Sequence, residues 1–343
     1  MSKINVSELS HASNGGDPNI ELYADGTTSI KGFQGPTVNP NLLDNSSFRT
    51  NQRNLWISQT SQGFLCDRWS CGNRNGWSIQ RGTPASGPDA IQAPFGAYAV
   101  QAGSSAIWET GLELQNNGDT QNTGFVNPVA YNGCNFVLSV WAYRPTNDID
   151  QLGGFVEYRS QTNIADGNTV FFNTNMPRTT ESLTIEGKVW WRYEQTVEVT
   201  SDPTATQRVF YIGFGNLSNN DMIACPKLER GSTHTPWQPE DLQTEELRCQ
   251  RYFYKWAGRA YAHGVQSSSH TDTVSKYVTL PFPTGMAYTP QVRTISANPG
   301  SLGSTSRWAT VYSETSANNS ANFVSGIEAS AEFTSFATWS DQV

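Results

Sequence analysis

Residues 136–143 read FVLSVWAY, and the alternation of side chains there limits the fold more than any other feature of the chain. Period-two patterning puts Phe136, Leu138, Val140 and Ala142 on one side of an extended segment and Val137, Ser139, Trp141 and Tyr143 on the other. The same pattern recurs at 77–80, 98–101, 106–109, 154–158, 169–172, 190–199 and 208–214, with Gly, Pro and Asn clusters between the runs. No helical periodicity interrupts it between Val38 and Trp237. The fold expected is mainly β. About 200 residues with this many short strands fit a large jelly-roll β-sandwich better than an immunoglobulin sandwich of roughly 100 residues.

Past Trp237 the pattern changes. Projected at 100° per residue, Leu242, Cys249, Tyr252, Phe253 and Trp256 share one face, and Leu247 and Tyr254 form a second, narrower stripe. Glu240, Asp241, Glu245 and Glu246 stand at the start and Arg248, Arg251 and Lys255 at the end, as a helix dipole favours, and Pro239 sits near the first helical position. These features predict a connecting helix of about four turns over 239–256. Two apolar faces suit a strut against a second domain or a sister chain. Strands resume at 277–282, 291–295, 307–312, 322–329 and 332–337, giving a small C-terminal β-sandwich over 257–343 that oligomer contacts would complete. Before Val38, Ile20–Tyr23 and Thr28–Lys31 flank Asp25-Gly26 as a hairpin. Residues 1–36 hold too little apolar surface for a core and read as a docking or trimerisation segment. The large sandwich then spans 37–238.

Charge narrows the function. Asp, Glu, Lys and Arg are only 15% of residues and the net charge is −8, with no Lys/Arg run, so nucleic acid is not an expected partner. No stretch nears about 18 apolar residues, and MSKINVSELS has no signal-like pattern, so neither membrane insertion nor signal-directed export is expected. Cys66, Cys71, Cys134, Cys225 and Cys249 are odd in number and lack metal spacing, which predicts reduced thiols. His11, His234, His263 and His270 have no zinc spacing.

Eleven tryptophans and thirteen tyrosines suggest sugar stacking. Trp141 with Tyr143, Trp191 with Tyr193, and Trp108 beside Glu109 are the candidate glycan platforms, against the alternative that these rings fill the core or a subunit interface. Glu240/Asp241 and Glu245/Glu246 are sequence neighbours that point apart on a helix, whereas glycosidase acids face each other across roughly 5–9 Å. No nucleophile elbow or phosphate loop occurs. A non-catalytic chain is expected. Arg248, Arg251, Lys255 and Arg259 read as a basic patch or as helix-end charge.

PKLERGSTHTPWQPEDLQTEELRCQRYFYKW at 226–256, TLPFPTGMAYTPQV at 279–292 and IEASAEF at 327–333 resemble the distal part of bacteriophage tail fibres. NLLDNSSFRTNQR at 41–53, followed by Asp67-Arg68-Trp69, is similar to the opening of carbohydrate-binding-module-like jelly rolls in such fibres, and SKINVSEL with LYADGTTSIKG is similar to the N-terminal segment of marine podophage virion proteins. The resemblance implies a homotrimer attached through its N-terminus to other virion tail or adaptor proteins and presenting its domains to host cell-surface polysaccharide. Such modules often hold structural calcium through an acid in the last strand. Here Ala224-Cys225 stands in that place, so calcium stays open around Asp44 and Asp221. The expected function is adsorption to a bacterial glycan by a tail fibre or receptor-binding virion protein. A head or baseplate decoration protein and a capsule depolymerase are the alternatives.

Overall fold

The computed structural model describes residues 8–9, 20–22, 28–30, 40–53, 63–71, 78–80, 93–102, 108–113, 132–145, 151–160, 168–203, 207–218, 220–256, 260–262, 274–284, 291–294, 301–304, 308–315, 322–324 and 327–330. Near the N-terminus β1 (Glu8–Leu9), β2 (Ile20–Leu22) and β3 (Thr28–Ile30) form a three-stranded sheet that contains the expected hairpin, Ile20 pairing with Ile30.

Eleven antiparallel strands make the main sheet: β4 (Gly63–Cys66), β5 (Trp69–Cys71), β6 (Ser78–Gln80), β7 (Ala99–Gln101), β8 (Trp108–Glu113), β9 (Cys134–Tyr143), β10 (Gln151–Ser160), β11 (Thr169–Ile185), β12 (Lys188–Val199), β13 (Gln207–Gly215) and β14 (Met222–Arg230). Their spatial order is β4-β5-β8-β13-β10-β11-β12-β9-β14-β7-β6. The 17-residue β11 is the hinge of this order. Up to Pro177 it pairs with β10; from Arg178 it pairs with β12, with a register irregularity between Arg178 and Ser182. Proline has no N–H to give the ladder, so Pro177 falls where the strand leaves one neighbour for the other. The sheet curls over itself there into a front half (β4, β5, β8, β13, β10 and the start of β11) and a back half.

Alternation along the strands fills the space between the halves. Phe136, Leu138, Val140, Tyr193 and Ile223 from the back meet Trp108, Leu152, Val156, Tyr158, Phe210, Ile212 and Phe214 from the front, all buried. Trp69 and Trp108 stack at 5.9 Å with Phe48 edge-on to both. Each such side chain contributes about 1.5–3 kcal/mol by leaving water. A second cluster, with Trp141, Trp190, Ala224, Met222 and Trp237, covers the outside of the back half.

The helix is shorter than the sequence suggests. α1 spans Leu242–Gln250, nine residues, with Asp241 as N-cap accepting from Thr244 N. Pro239 therefore lies before the cap. The chain turns at Arg251 and Tyr252, and Phe253–Trp256 form β15, which pairs with β22 (Ile327–Ser330). The expectation that Phe253 and Trp256 continue a helical face is thus corrected: aromatic residues favour a pleated surface, and a waiting strand satisfies their backbone groups. Leu242 is exposed, Cys249, Tyr252 and Phe253 are buried and Trp256 is half-buried.

The helix lies against residues 44–53. Glu245 accepts from Ser47 Oγ at 2.6 Å, Arg248 meets Asp44 at 2.7 Å, and Gln52 donates to the Phe253 carbonyl at 2.7 Å. The Arg53 guanidinium lies between the rings of Phe253 (3.7 Å) and Phe64 (4.4 Å) and pairs with Asp67; Arg68 covers Tyr252 at 3.5 Å. Upstream, Lys227 donates to the Thr235 and Pro236 carbonyls, and Trp237 Nε1 donates to Ser46 Oγ. The segment behind β14 is thereby tied down before the helix starts.

Beyond it, β16 (Ala260–Ala262) pairs with β21 (Asn322–Val324), β18 (Gln291–Thr294) joins β22, and β20 (Trp308–Thr315) lies between β17 (Val274–Pro281) and β19 (Ser301–Ser304). The strand expected at 332–337 lies outside the described residues.

Candidate functional site

Inward-facing residues of the front half build the core, so the opposite parity faces outward. Across the strands, Glu109 of β8 stands beside Gly213 of β13, Gly213 beside Phe155 of β10, and Phe155 beside Asn173 of β11. One row along come Gly111, Tyr211 and Glu157; on the other side come Gly215, Gly153 and Asn175. Glycine at 213 is required by packing: a Cβ there would stand 2.2 Å from Phe155 Cζ, so the ring lies down in the space the missing side chain leaves. At Gly153 a Cβ would come within 3.0 Å of Asn216 Nδ2. The missing side chains seat the Phe155 ring and the Asn216 amide close against the sheet.

The outer face there carries rings and charge. Arg159 pairs with Glu157 and lies 3.6 Å from Glu109, while its guanidinium covers the Tyr211 ring at 4.2 Å and faces Phe155 at 5.2 Å. All five residues are buried. Burial raises the Glu109 carboxyl to about 7, with Arg159 lowering it and the like charge of Glu157 adding to the rise. Glu109 is therefore half-protonated near neutrality.

The rim is amide-rich and open. Gln151, Asn173, Asn175 and Asn216 are exposed. Asn216 Nδ2 donates to Asn175 Oδ1 at 3.1 Å, and Asn175 Nδ2 donates to Gln151 Oε1 at 2.9 Å. Behind them Arg144, held by Asp221 at 2.9 Å, donates to the carbonyls of Gln151 and Asn216 at 2.7 and 2.9 Å. Asn216 takes a left-handed φ of 55° there, a conformation asparagine tolerates. On the β4 side the Phe64 ring lies under Arg53, which also covers Phe253.

The residues singled out from sequence lie elsewhere. Trp108 is wholly buried in the stack with Trp69, and its neighbour Glu109 lies on the outer face, buried beside Arg159. Trp191 and Tyr193 pair with Ala142 and Val140, which puts them on the inner face, opposite to Trp141 and Tyr143. Tyr193 is 1% exposed and Trp191 packs half-buried against the core. Trp141 does face outward, but at 3% exposure it lies under Phe95 (5.8 Å) and in the cluster with Trp237. Tyr143 is half-buried beside Trp190. No open platform forms from these rings, because the back half's outer face carries a cover that strand parity does not report. The signal for the front half's outer cluster is in the same alternation: Phe155, Glu157 and Arg159 share a parity, as do Tyr211, Gly213 and Gly215.

Asp44 is taken by Arg68 and Arg248, and Asp221 by Arg144, so each acid already faces a cation. Among the described residues no three His, Cys, Asp or Glu side chains converge on a point where a metal would sit. Among them, too, no helix is long and apolar enough to cross a membrane. The described cysteines Cys66, Cys134, Cys225 and Cys249 form no disulfide.

No protein-family model matches the chain, and no curated protein matches it. Solved structures with a similar chain path include the carbohydrate-binding module TmCBM61 in complex with beta-1,4-galactotriose, at 14% identity and TM-score 0.28, covering 56% of this chain and 99% of that one. The enzymatically active domain of tailspike protein 4 of bacteriophage CBA120 aligns at 12% identity and TM-score 0.28, over 56% of this chain but only 21% of that one. The tripod from the baseplate of bacteriophage Tuc2009 aligns at 16% identity and TM-score 0.26, over 91% and 95% of the two chains. With TM-scores this low, what the chain does has to be read from its own residues.

Proposed function

We propose that this chain is a non-catalytic attachment protein of a phage virion that binds a bacterial surface glycan on the exposed amide strip of the front half, as a jelly-roll binding module. One observation carries this: the outer face beside β10, β11 and β13 presents a strip of exposed amides, Gln151, Asn173, Asn175 and Asn216, with the Gln151 and Asn216 carbonyls held from behind by Arg144. Amides offer a donor and an acceptor each to the hydroxyls of a sugar. The tail-fibre-like motifs at 226–256 and 279–292 support the virion setting. Assembly as a homotrimer through the N-terminal segment belongs to the same reading, since weak single sites gain from multiplicity. The test is adsorption of the purified protein to host cells, expected for the wild type and lost in the double variant Asn173→Ala/Asn175→Ala.

A polysaccharide hydrolase is the second reading, favoured by the proton Glu109 keeps near pH 7 opposite Glu157. Arg159 stands against it, because it ties both carboxylates together where a hydrolase would leave room for a scissile bond. Release of reducing ends from host polysaccharide would decide for the enzyme.

A further inference from the structure

We propose that the glycan contact continues past Asn216, over the turn between β13 and β14, to Asn220, so that the site takes a stretch of several sugar residues rather than a single terminal sugar; this rests on the exposed amides of the front half being where glycan binds.

The amides are laid out in a line. Gly153 of β10 stands between Gly215 of β13 and Asn175 of β11, and a Cβ on it would be 3.0 Å from Asn216 Nδ2. With no side chain in the way, Asn216 Nδ2 reaches across to donate to Asn175 Oδ1, and Asn175 Nδ2 donates on to Gln151 Oε1. Each end of this relay keeps a group for a ligand, Oδ1 at Asn216 and Nε2 at Gln151. Past Asn216 the chain crosses from the front half to the back half. There the exposed Asn220 accepts through Oδ1 from Gln101 Nε2 of β7 at 2.8 Å and keeps its Nδ2. One buried pair supports both groups. Arg144 donates to the Gln151 and Asn216 carbonyls and to Asp221, whose carboxylate also accepts from Ser218 N at 2.9 Å. The Asp221 carbonyl accepts from Ala102 N at 2.8 Å, and Asn220 N donates to the Ala102 carbonyl at 2.9 Å. Asn216 and Asn220 hold left-handed φ values of 55° and 71° within this frame. A braced turn with an exposed amide at each end spreads its hydrogen-bonding groups along a path instead of converging them on one point. Successive sugars can use all of them; one sugar can use only part. Because the backbone is already held, binding costs little ordering.

The test is calorimetric titration of oligosaccharides cut from bacterial surface polysaccharide and fractionated from monosaccharide to hexasaccharide, against wild type, Asn220→Gly and Asn173→Ala/Asn175→Ala. Glycine adopts the same left-handed backbone, so Asn220→Gly removes the amide alone. Wild-type affinity is expected to climb with length, and Asn220→Gly to lose roughly fivefold on the longest fragments while matching wild type on the shortest that bind. Equal wild-type affinity at every length, or an Asn220→Gly loss that is the same at every length, overturns the extension; if Asn173→Ala/Asn175→Ala meanwhile binds nothing, the front-half strip stands without it. Binding by that double variant equal to wild type, or no binding by any protein, takes away the strip and the extension with it.

Discussion

Glu109 keeps a proton that water would have taken, and the cause is its place on β8, buried beside Glu157 with only a shared Arg159 to answer both. Its carboxyl rises from 4.5 to about 7 in the folded chain. Between those values the folded state binds a proton that the unfolded state has lost, so stability is highest below pH 4.5 as far as this group is concerned and declines as pH rises to about 7. The whole effect is on the order of 3 kcal/mol. Urea midpoints measured across that range should fall with pH in the wild type and flatten in Glu109→Gln; an unchanged slope would remove the group from the explanation. Gly213 offers a second residue-scale test. Gly213→Ala must push Phe155 out of its seat, which should cost about 1–3 kcal/mol, read as a lower urea midpoint. Trp141→Ala removes a ring 3% exposed and should cost about 3–5 kcal/mol while leaving adsorption intact in the folded fraction. Parity was legible in the sequence at this scale, but coverage was not. Trp141 and Phe155 both lie on outer faces and both are buried, Trp141 with Phe95 and Trp237 and Phe155 beside Arg159.

At the scale of elements, the alternation at 134–143, 151–160 and 207–215 and the hairpin at 20–30 follow directly from side-chain period and turn residues. Two elements escaped. β11 was read only as far as Phe172, because Asn173–Ile185 has little apolar alternation, and Pro177 in its middle argues locally against a strand. The run from Tyr252 to Trp256 has aromatic spacing compatible with either period, and pairing with β22, more than 70 residues away, settles it as a strand. The docking of α1 shows that the motif at 41–53 and the motif at 226–256 are two sides of one interface, with Glu245, Arg248 and Phe253 facing Ser47, Asp44 and Arg53. Arg53 and Asp67 are both fully buried there. Removing one partner leaves an unpaired charge, so Arg53→Met should lose about 3–5 kcal/mol, and the double variant Arg53→Met/Asp67→Asn should lose less than the sum of the two single changes. Chemical denaturation of the four proteins measures this; strict additivity would mean the pair is not coupled.

For the whole molecule, both outer faces of the curled sheet are largely covered, the back half by Trp141, Trp190 and Trp237 and the front half by Phe155, Tyr211 and the Glu109, Arg159 and Glu157 group, with Phe64, Arg53 and Phe253 along β4. The exposed amides of Gln151, Asn173, Asn175 and Asn216 are the proposed glycan contact. The proposed homotrimer is checked by mass in solution, where three copies are expected. Hydrogen exchange in the presence of saturating host polysaccharide tests the proposed contact most directly. Added protection around residues 151–154, 173–176 and 213–217, with none at Cys134–Tyr143, is the expected result; protection confined to the back half or to residues beyond Trp256 would contradict it.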